Sequence, residues 1–379
     1  MRYYVIAGEA SGDLHGSNLI RELKRKDLNA SIRCWGGEKM EDAGADLVKH
    51  YRDLAFMGFT EVIRNLPTIL GNLRFCKADI LSFQPDVLVL IDYPGFNLRI
   101  AEWAKNSGFK VVYYISPQVW AWKENRVKLI KRCVDLMLVI LPFEKAFYHK
   151  WQYEVTYVGH PLIEVVDQFI QTTGPQIKST VKIIALLPGS RRQEVMKKLP
   201  LLLELSNHLP DHEFVVAKAP GLEDEFYDQL LNPYKNVKAV RGQTYNLLYK
   251  ASAALVTSGT ATLETALFGV PEIICYKGSE ISYQIARKLI KIKYIGLVNL
   301  IMDKPVVKEL IQQELTVANM LSELKELLNN QKRQSEVKAD YEALRNLLKE
   351  GGNASQNAAE KIITFLKPFL PEQKSDSDK

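Results

Sequence analysis

Short apolar runs rich in Val, Ile and Tyr alternate along this chain with longer segments whose apolar positions recur at helical spacing. One series comprises Tyr3–Ala7, Ser31–Trp35, Val87–Ile91, Val111–Ile115, Leu136–Ile140 and Thr156–Val158, and a second comprises Val181–Leu186, Glu213–Ala217, Val237–Val240, Ala253–Thr257 and Glu272–Cys275. Strands covered by helices on both faces read as unbroken apolar runs, so this alternation predicts βαβ units and an α/β fold with parallel sheets. The polar stretch Asp167–Thr180, holding Gly174 and Pro175, separates the series and predicts one domain over 1–170 and another over 171–350. Beyond Pro305 the pattern turns helical and charged through Val306–Leu348, stops at Gly351-Gly352, and resumes in an amphipathic segment, Ala354–Leu366. A closing helix over 351–370 is expected to pack back on the first domain, and the polar end 371–379 is expected to be disordered.

Three glycine-bearing turns stand between a strand-type run and a helical pattern. They are GEASGD at Gly8–Asp13, LPGSR at Leu187–Arg191 and SGTATLE at Ser258–Glu264. Such a turn presents backbone N–H groups and a helix N-terminus above the sheet, which is an anion site. Gly189 and Ser190 let the backbone approach a phosphate, and Arg191 adds a guanidinium fork matched to its oxygens. Ser258, Gly259 and Thr260 can donate N–H or hydroxyl bonds, while Glu264, about a turn into its helix, can accept from ribose hydroxyls. With one such turn in the first half and two in the second, the arrangement predicts a two-lobed enzyme acting on a phosphorylated donor across a common cleft. The competing reading of each turn is a plain β-turn or an N-capped helix with solvated charges.

Composition narrows the class. At 379 residues with 47% hydrophobic and 25% charged, the chain is expected to fold as an ordinary globular protein of two domains. The net charge of +6 is too small to argue for nucleic acid, yet favourable toward an anionic membrane surface or a phosphorylated substrate. The cysteines Cys34, Cys76, Cys133 and Cys275 are scattered, as expected of reduced buried thiols in a cytoplasmic protein. The N-terminus enters a strand directly, so no signal peptide is expected, and no apolar run approaches the ~20 residues of a spanning helix. No metal-ligand spacing and no cofactor fingerprint is evident.

Other segments carry candidate chemistry. IDYPGFN ends a buried run with Asp92 and Asn97, where Asp92 reads equally as a base or an Asx-type turn residue. Glu9 and Asp13 are further carboxylates, Asp13 serving either in catalysis or in balancing a helix dipole. SPQVWAWKENR places Gln118, Trp120, Trp122 and Arg126 after a strand, suited to a substrate pocket or, for the tryptophans, to the core. Ser11, Asn97 and His160 complete the set expected on the acceptor side. The segment Phe56–Leu73 is strongly apolar, with Phe56, Phe59, Leu66, Ile69 and Leu70 as membrane-facing candidates and Arg64, Arg74 and Lys77 as basic neighbours. It reads as an interfacial element or as a buried hairpin.

The strings AGEASGD, IDYPGFN, SPQVWAW, LPFEKAFY, YVGHPL, LPGSRRQEV, SGTATLE and VNLI, in this order, make the chain resemble the lipid-A-disaccharide synthase family. The resemblance spans nearly the whole chain. It implies a GT-B architecture of two Rossmann-like domains, with the nucleotide sugar held mainly by the second. It further implies inverting transfer from UDP-2,3-diacylglucosamine to 2,3-diacylglucosamine 1-phosphate at the cytoplasmic face of the inner membrane, without metal or cofactor, and a homodimer. Carried over by motif, Arg191 would bind the pyrophosphate, and Ser258, Gly259, Thr260, Glu264 and Asn299 the nucleotide. Many members of that family carry a second carboxylate in the IDYPGFN loop, where this chain has Gly95. The expected base is therefore Asp92, with Glu9 and Asp13 as alternatives. The rival readings are a UDP-sugar 2-epimerase of the same build and a ligand-binding protein without turnover.

Overall fold

The computed structural model describes residues 1–54, 66–174, 182–280, 283–284 and 292–369, with the side chain of Leu66 excepted. Phe56, Phe59 and the end of the chain over 371–379, to which the sequence assigns a membrane patch and a tail, lie outside these residues. Two compact units are present. One comprises Met1–Pro161 with the chain from Lys349 onward, the other Leu162–Leu348.

In the first unit, seven strands are found among the described residues: β1 (Arg2–Ala7), β2 (Ser31–Gly36), β3 (Asp46–His50), β4 (Val87–Ile91), β5 (Val111–Tyr114), β6 (Leu136–Val139) and β7 (Thr156–Tyr157). All pairings are parallel, in the order β3-β2-β1-β4-β5-β6-β7. The two-residue period of a strand splits β1 between two cores. Tyr4 and Ile6 join Trp35, Leu88, Leu90 and Tyr113 on one face, beneath the helices Leu66–Phe83, Pro94–Asn106 and Arg126–Cys133. Tyr3, Val5 and Ala7 join Val89, Ile91 and Tyr114 on the other, beneath the helix Ala10–Lys26.

That second face also receives the last helix, Ala354–Leu366. Its Ala358, Ala359, Ile362 and Leu366 are buried with Leu19, Ile20 and Leu23. The alanines let the two backbones approach closely, and Gly351 and Gly352 admit the incoming chain against Gly159, where a Cβ would meet the Gly352 carbonyl at 2.6 Å.

The second unit repeats the plan. Among the described residues β8 (Lys182–Leu187), β9 (His212–Lys218), β10 (Val237–Arg241), β11 (Ala251–Thr257), β12 (Glu272–Tyr276) and β13 (Lys308–Ile311) form a parallel sheet ordered β10-β9-β8-β11-β12-β13. Each sheet therefore has a first strand flanked by its second and fourth, the doubly wound order in which the connections diverge beside that strand.

Three expectations change. The division falls at Pro161 rather than near residue 170, because the helix Pro161–Thr173 belongs to the second unit. Its Phe169 ring packs edge-on against Tyr245, Tyr249 and Phe268. The strands β3 and β13 are absent from the sequence reading, and β13 interrupts a stretch read as helical. Both lie at sheet edges, where polar side chains such as Asp46, Lys49, Lys308 and Glu309 dilute the apolar run.

Candidate active site

The sheet order makes neighbours of turns far apart in the sequence. In the first unit the turn after β1 lies beside the turn after β4, since Ala7 is in register with Ile91. In the second unit the turn after β8 lies beside that after β11, since Leu187 is in register with Val256. All four open above the C-terminal ends of strands, two at each point where the strand order reverses. That crevice is where doubly wound sheets bind ligands.

In the first unit Asp92 and Tyr93 both adopt left-handed backbone, with φ of 44° and 46°, as does Ile115 (φ 64°) at the end of the adjacent strand β5. A β-branched residue at positive φ is strained, and strain of this kind clusters at functional sites. The bend after β4 is held from beneath. Asn97 is fully buried, and its side-chain amide donates to the carbonyls of Asp92 (2.9 Å), Ile91 (3.2 Å) and Ile6 (3.4 Å). The Tyr113 hydroxyl donates to the same Asp92 carbonyl at 2.5 Å. The Tyr93 ring lies across Gly8, where any Cβ would run into it, and its hydroxyl donates to the carbonyl of Leu54 at 2.9 Å.

So constrained, the Asp92 carboxyl sits in a desolvated position beside the negative charge of Glu9. Burial first, and Glu9 second, push it up to about 7, against a backbone hydrogen bond that stabilises its ionised form. A carboxyl poised near neutrality has the acidity required of a general base.

Asp13 has a different engagement. It is buried, and its carboxylate accepts from the backbone N–H groups of Gly37 (2.8 Å), Met40 (3.1 Å) and Lys39 (3.3 Å). It thus caps the short helix Glu38–Asp42 and fixes the loop after β2 to the helix after β1. Ser11 is exposed in the first turn of that helix.

In the SPQVWAW loop, Gln118 and Trp122 are exposed, Arg126 is half-buried, and Trp120 points inward. The Trp120 indole packs edge-on against Phe143 and donates to Glu144 Oε1 at 3.3 Å. Glu144, to which the sequence reading gives no role, is buried and accepts from the N–H groups of Leu141 (2.9 Å) and Ile140 (3.2 Å) at its other oxygen. Burial pushes its carboxyl up to about 7 against these bonds. Beside it the Ser116 and Tyr148 hydroxyls share a 2.6 Å hydrogen bond. This polar knot joins the loops after β5 and β6. His160 is buried rather than displayed, near His15, and burial lowers it to about 3 and His15 to about 4, so both are neutral at pH 7.

In the second unit the turn after β8 passes through Gly189 at φ 115° and enters the helix Arg192–Glu204 at Arg191. Ser190 and Arg191 are exposed. The adjacent Arg192 is turned aside, its guanidinium stacked over the Phe226 ring at 4.3 Å and paired with Glu223 at 3.9 Å. After β11 the chain passes Ser258 and Gly259 (φ 151°) into the helix Thr260–Leu267, with Gly259 and Thr260 exposed. Among the described residues neither N-cap position, Arg191 or Gly259, supplies a side-chain cap to its own helix. Glu264 accepts from the Tyr245 hydroxyl at 2.7 Å, and burial raises its carboxyl above the usual range.

Asn299 corrects another expectation. It does not line an open surface: it is buried, donates to Val307 (2.8 Å) and Glu309 (2.9 Å), and accepts from the Val307 N–H (3.0 Å). Glu309 in turn accepts from the N–H groups of Ile295 and Gly296, each at 3.0 Å, and the Ile295 carbonyl accepts from Ser258 Oγ at 2.7 Å. The relay Asn299–Glu309–Ile295–Ser258 thereby braces the second turn. Asn97 is corrected likewise, from a residue on the acceptor rim to the buried brace of the Asp92 bend. Glu309 escaped notice because an edge-strand Glu carries no local signal of its partners.

The family profile described as Lipid-A-disaccharide synthetase matches residues 3–363. A lipid-A-disaccharide synthase of Syntrophus aciditrophicus (strain SB) is 39% identical over 96% of this chain and 97% of its own. One of Coxiella burnetii (strain CbuG_Q212) is 37% identical over 96% and 98%. Among solved structures, the glycotransferase of kitacinnamycin superposes with a TM-score of 0.68 at 15% identity, covering 96% of this chain and 99% of its own. A UDP-GlcNAc 2-epimerase from Neisseria meningitidis bound to UDP-GlcNAc superposes with a TM-score of 0.66 at 14% identity, covering 97% and 99%. At such low identity these structures attest the fold alone, a GT-B arrangement of two parallel α/β sheets. The sequence matches extend over almost the entire chain, and on them this protein belongs to the lipid-A-disaccharide synthase family, glycosyltransferases of lipid A biosynthesis.

Proposed function

We propose that the protein transfers a diacylglucosamine unit from UDP-2,3-diacylglucosamine to the 6-hydroxyl of 2,3-diacylglucosamine 1-phosphate, giving the β(1→6) disaccharide 1-phosphate and UDP with inversion. The observation that carries this reading is the pairing of an anion-binding turn with a second glycine turn at the strand-order reversal of the second unit, in a chain of this family. The donor's pyrophosphate lies on the Gly189–Arg191 turn, and its nucleoside on Ser258, Gly259, Thr260 and Glu264. The acceptor occupies the first unit above Glu9, Ser11 and Asp92, beside Gln118, Trp122 and Arg126.

Inversion at the anomeric carbon requires that the acceptor oxygen attack as the bond to UDP breaks. Asp92 takes the proton of the 6-hydroxyl, for which a carboxyl near 7 is matched. The charge developing on UDP is met by the Arg191 guanidinium and two helix N-termini. These are worth roughly 1.5–3 kcal/mol per charge-assisted hydrogen bond, and about 0.3–1 kcal/mol more from a helix dipole. Asp13, Asn97 and Asn299 act on the backbone around these groups and not on substrate.

Both substrates carry acyl chains, which supports peripheral association with the inner membrane's cytoplasmic face. Among the described residues no helix is long and apolar enough to cross a membrane. In the helix Leu66–Phe83, Leu70 and Phe75 are exposed, whereas Ile69 packs on the core. Leu70 lines a groove with Pro67, Gly71 and Arg74. An exposed apolar side chain beside a basic one suits an anionic bilayer. The family resemblance favours a homodimer.

The deciding experiment is mass spectrometry of the purified protein in EDTA with UDP-2,3-diacylglucosamine, with and without the acceptor. Disaccharide and UDP formed only with acceptor are expected. Turnover without acceptor would instead indicate an epimerase.

A further inference from the structure

The anion turn of the second unit already contains an anion. Glu194, three residues beyond Arg191, folds back over the turn. A Cβ placed on Gly189 would lie 2.5 Å from its Oε2, and its Oε1 accepts from Arg191 Nη1 at 3.4 Å. One helical turn further, Lys198 carries a side chain that is almost fully buried beneath the same face. Its surroundings include Glu194, Arg191 and Cys275. Burial lowers its ammonium to about 8, with Glu194 the largest influence in the opposite direction. The helix thus presents, in sequence, a cation at its tip, a carboxylate turned back on that cation, and a buried cation behind it.

We infer that Glu194 is a positioning residue which occupies the diphosphate's place on the Gly189–Arg191 turn, holds Arg191 until the diphosphate binds, and is then displaced. The inference rests on the assignment of this turn to the pyrophosphate. A carboxylate and a phosphate compete for the same guanidinium and the same amide dipoles. Binding UDP therefore breaks the Arg191–Glu194 pair first, which weakens the complex and speeds departure of product. Lys198 acts in the opposite sense. Its charge stabilises the carboxylate once it has been pushed off Arg191, and adds to the positive potential under the phosphates.

The two side chains therefore have effects of opposite sign. In calorimetric titration with UDP, Glu194→Gln should bind about threefold more tightly than the parent chain, the order expected for release from a partly exposed ion pair. Glu194→Ala, which removes the carboxylate from the turn altogether, should tighten binding similarly. Lys198→Met, which fills the same buried volume without charge, should weaken it. A merely structural role for Glu194 predicts loss of affinity in both of its variants. Unchanged or weaker binding by Glu194→Gln overturns the inference, and so does an Ala variant indistinguishable from the parent. Failure of the parent chain to bind UDP would overturn the assignment of the turn itself, and the inference with it.

Discussion

The side-chain amide of Asn97 donates to the carbonyl of Asp92 at 2.9 Å, so the buried residue of the IDYPGFN loop holds the bend that aims its carboxylate. Asp92 and Tyr93 remain at positive φ only because such bonds over-determine them. Removing the donor takes a hydrogen bond from three carbonyls, of which that of Asp92 keeps the Tyr113 hydroxyl. Asn97→Leu is expected to cost roughly 1–3 kcal/mol and to lower kcat more than it raises KM, measured by denaturant unfolding beside steady-state kinetics.

Asp92 governs the pH profile. A base works ionised, so kcat/KM should rise with pH through about 7, where burial and Glu9 hold its carboxyl. Glu9→Gln removes the like charge, lowers that pKa, and should move the acid limb to lower pH. Asp92→Asn should abolish the limb and reduce turnover by roughly 10²–10⁴. An unshifted limb in Glu9→Gln would refute the coupling.

The two arginines of LPGSRR separate cleanly. Arg191→Ala should reduce turnover by orders of magnitude at unchanged thermal stability. Arg192→Ala, which loses a stack on Phe226 and a long pair with Glu223, should change turnover little. Equal kinetic defects would contradict the assignment of Arg191 alone to the pyrophosphate.

Within the helix Leu66–Phe83, neighbouring apolar residues face differently. Leu70→Ser should reduce co-sedimentation with anionic vesicles while leaving the melting temperature near that of the parent. Ile69→Ser should instead lower stability, because Ile69 packs on the core. Unchanged vesicle binding in Leu70→Ser would argue against this face as the membrane contact.

Glu272, at the start of β12, is fully buried with neither carboxyl oxygen hydrogen-bonded among the described residues, and burial raises its pKa well above the usual range. The folded chain therefore keeps this proton to higher pH than the unfolded chain does. Its contribution to stability is therefore fullest below the unfolded value near 4.5 and declines as pH rises toward the folded one. Glu272→Met should stabilise the protein by about 1–3 kcal/mol, with a larger gain at pH 8 than at pH 5. A gain independent of pH would mean that folding does not raise the pKa of this carboxyl.

The sequence alone determined the alternation of buried strands and helices, the three glycine turns, and, through the ordered motifs from AGEASGD to VNLI, the family. These are local signals: strand cores are apolar whatever their partners, and the turns at Gly189 and Gly259 need glycine because of their own φ, 115° and 151°. Only the tertiary structure decided which turns are neighbours, since that follows from long-range strand pairing, and placed Gly8 and Asp92, or Gly189 and Ser258, at a common rim. It turned Asp13, Asn97 and Asn299 inward, because a polar side chain beside a bend is drawn to unpaired backbone groups that no linear pattern reveals. It also set the unit boundary at Pro161, where the Phe169 ring finds aromatic partners more than 70 residues away in the chain.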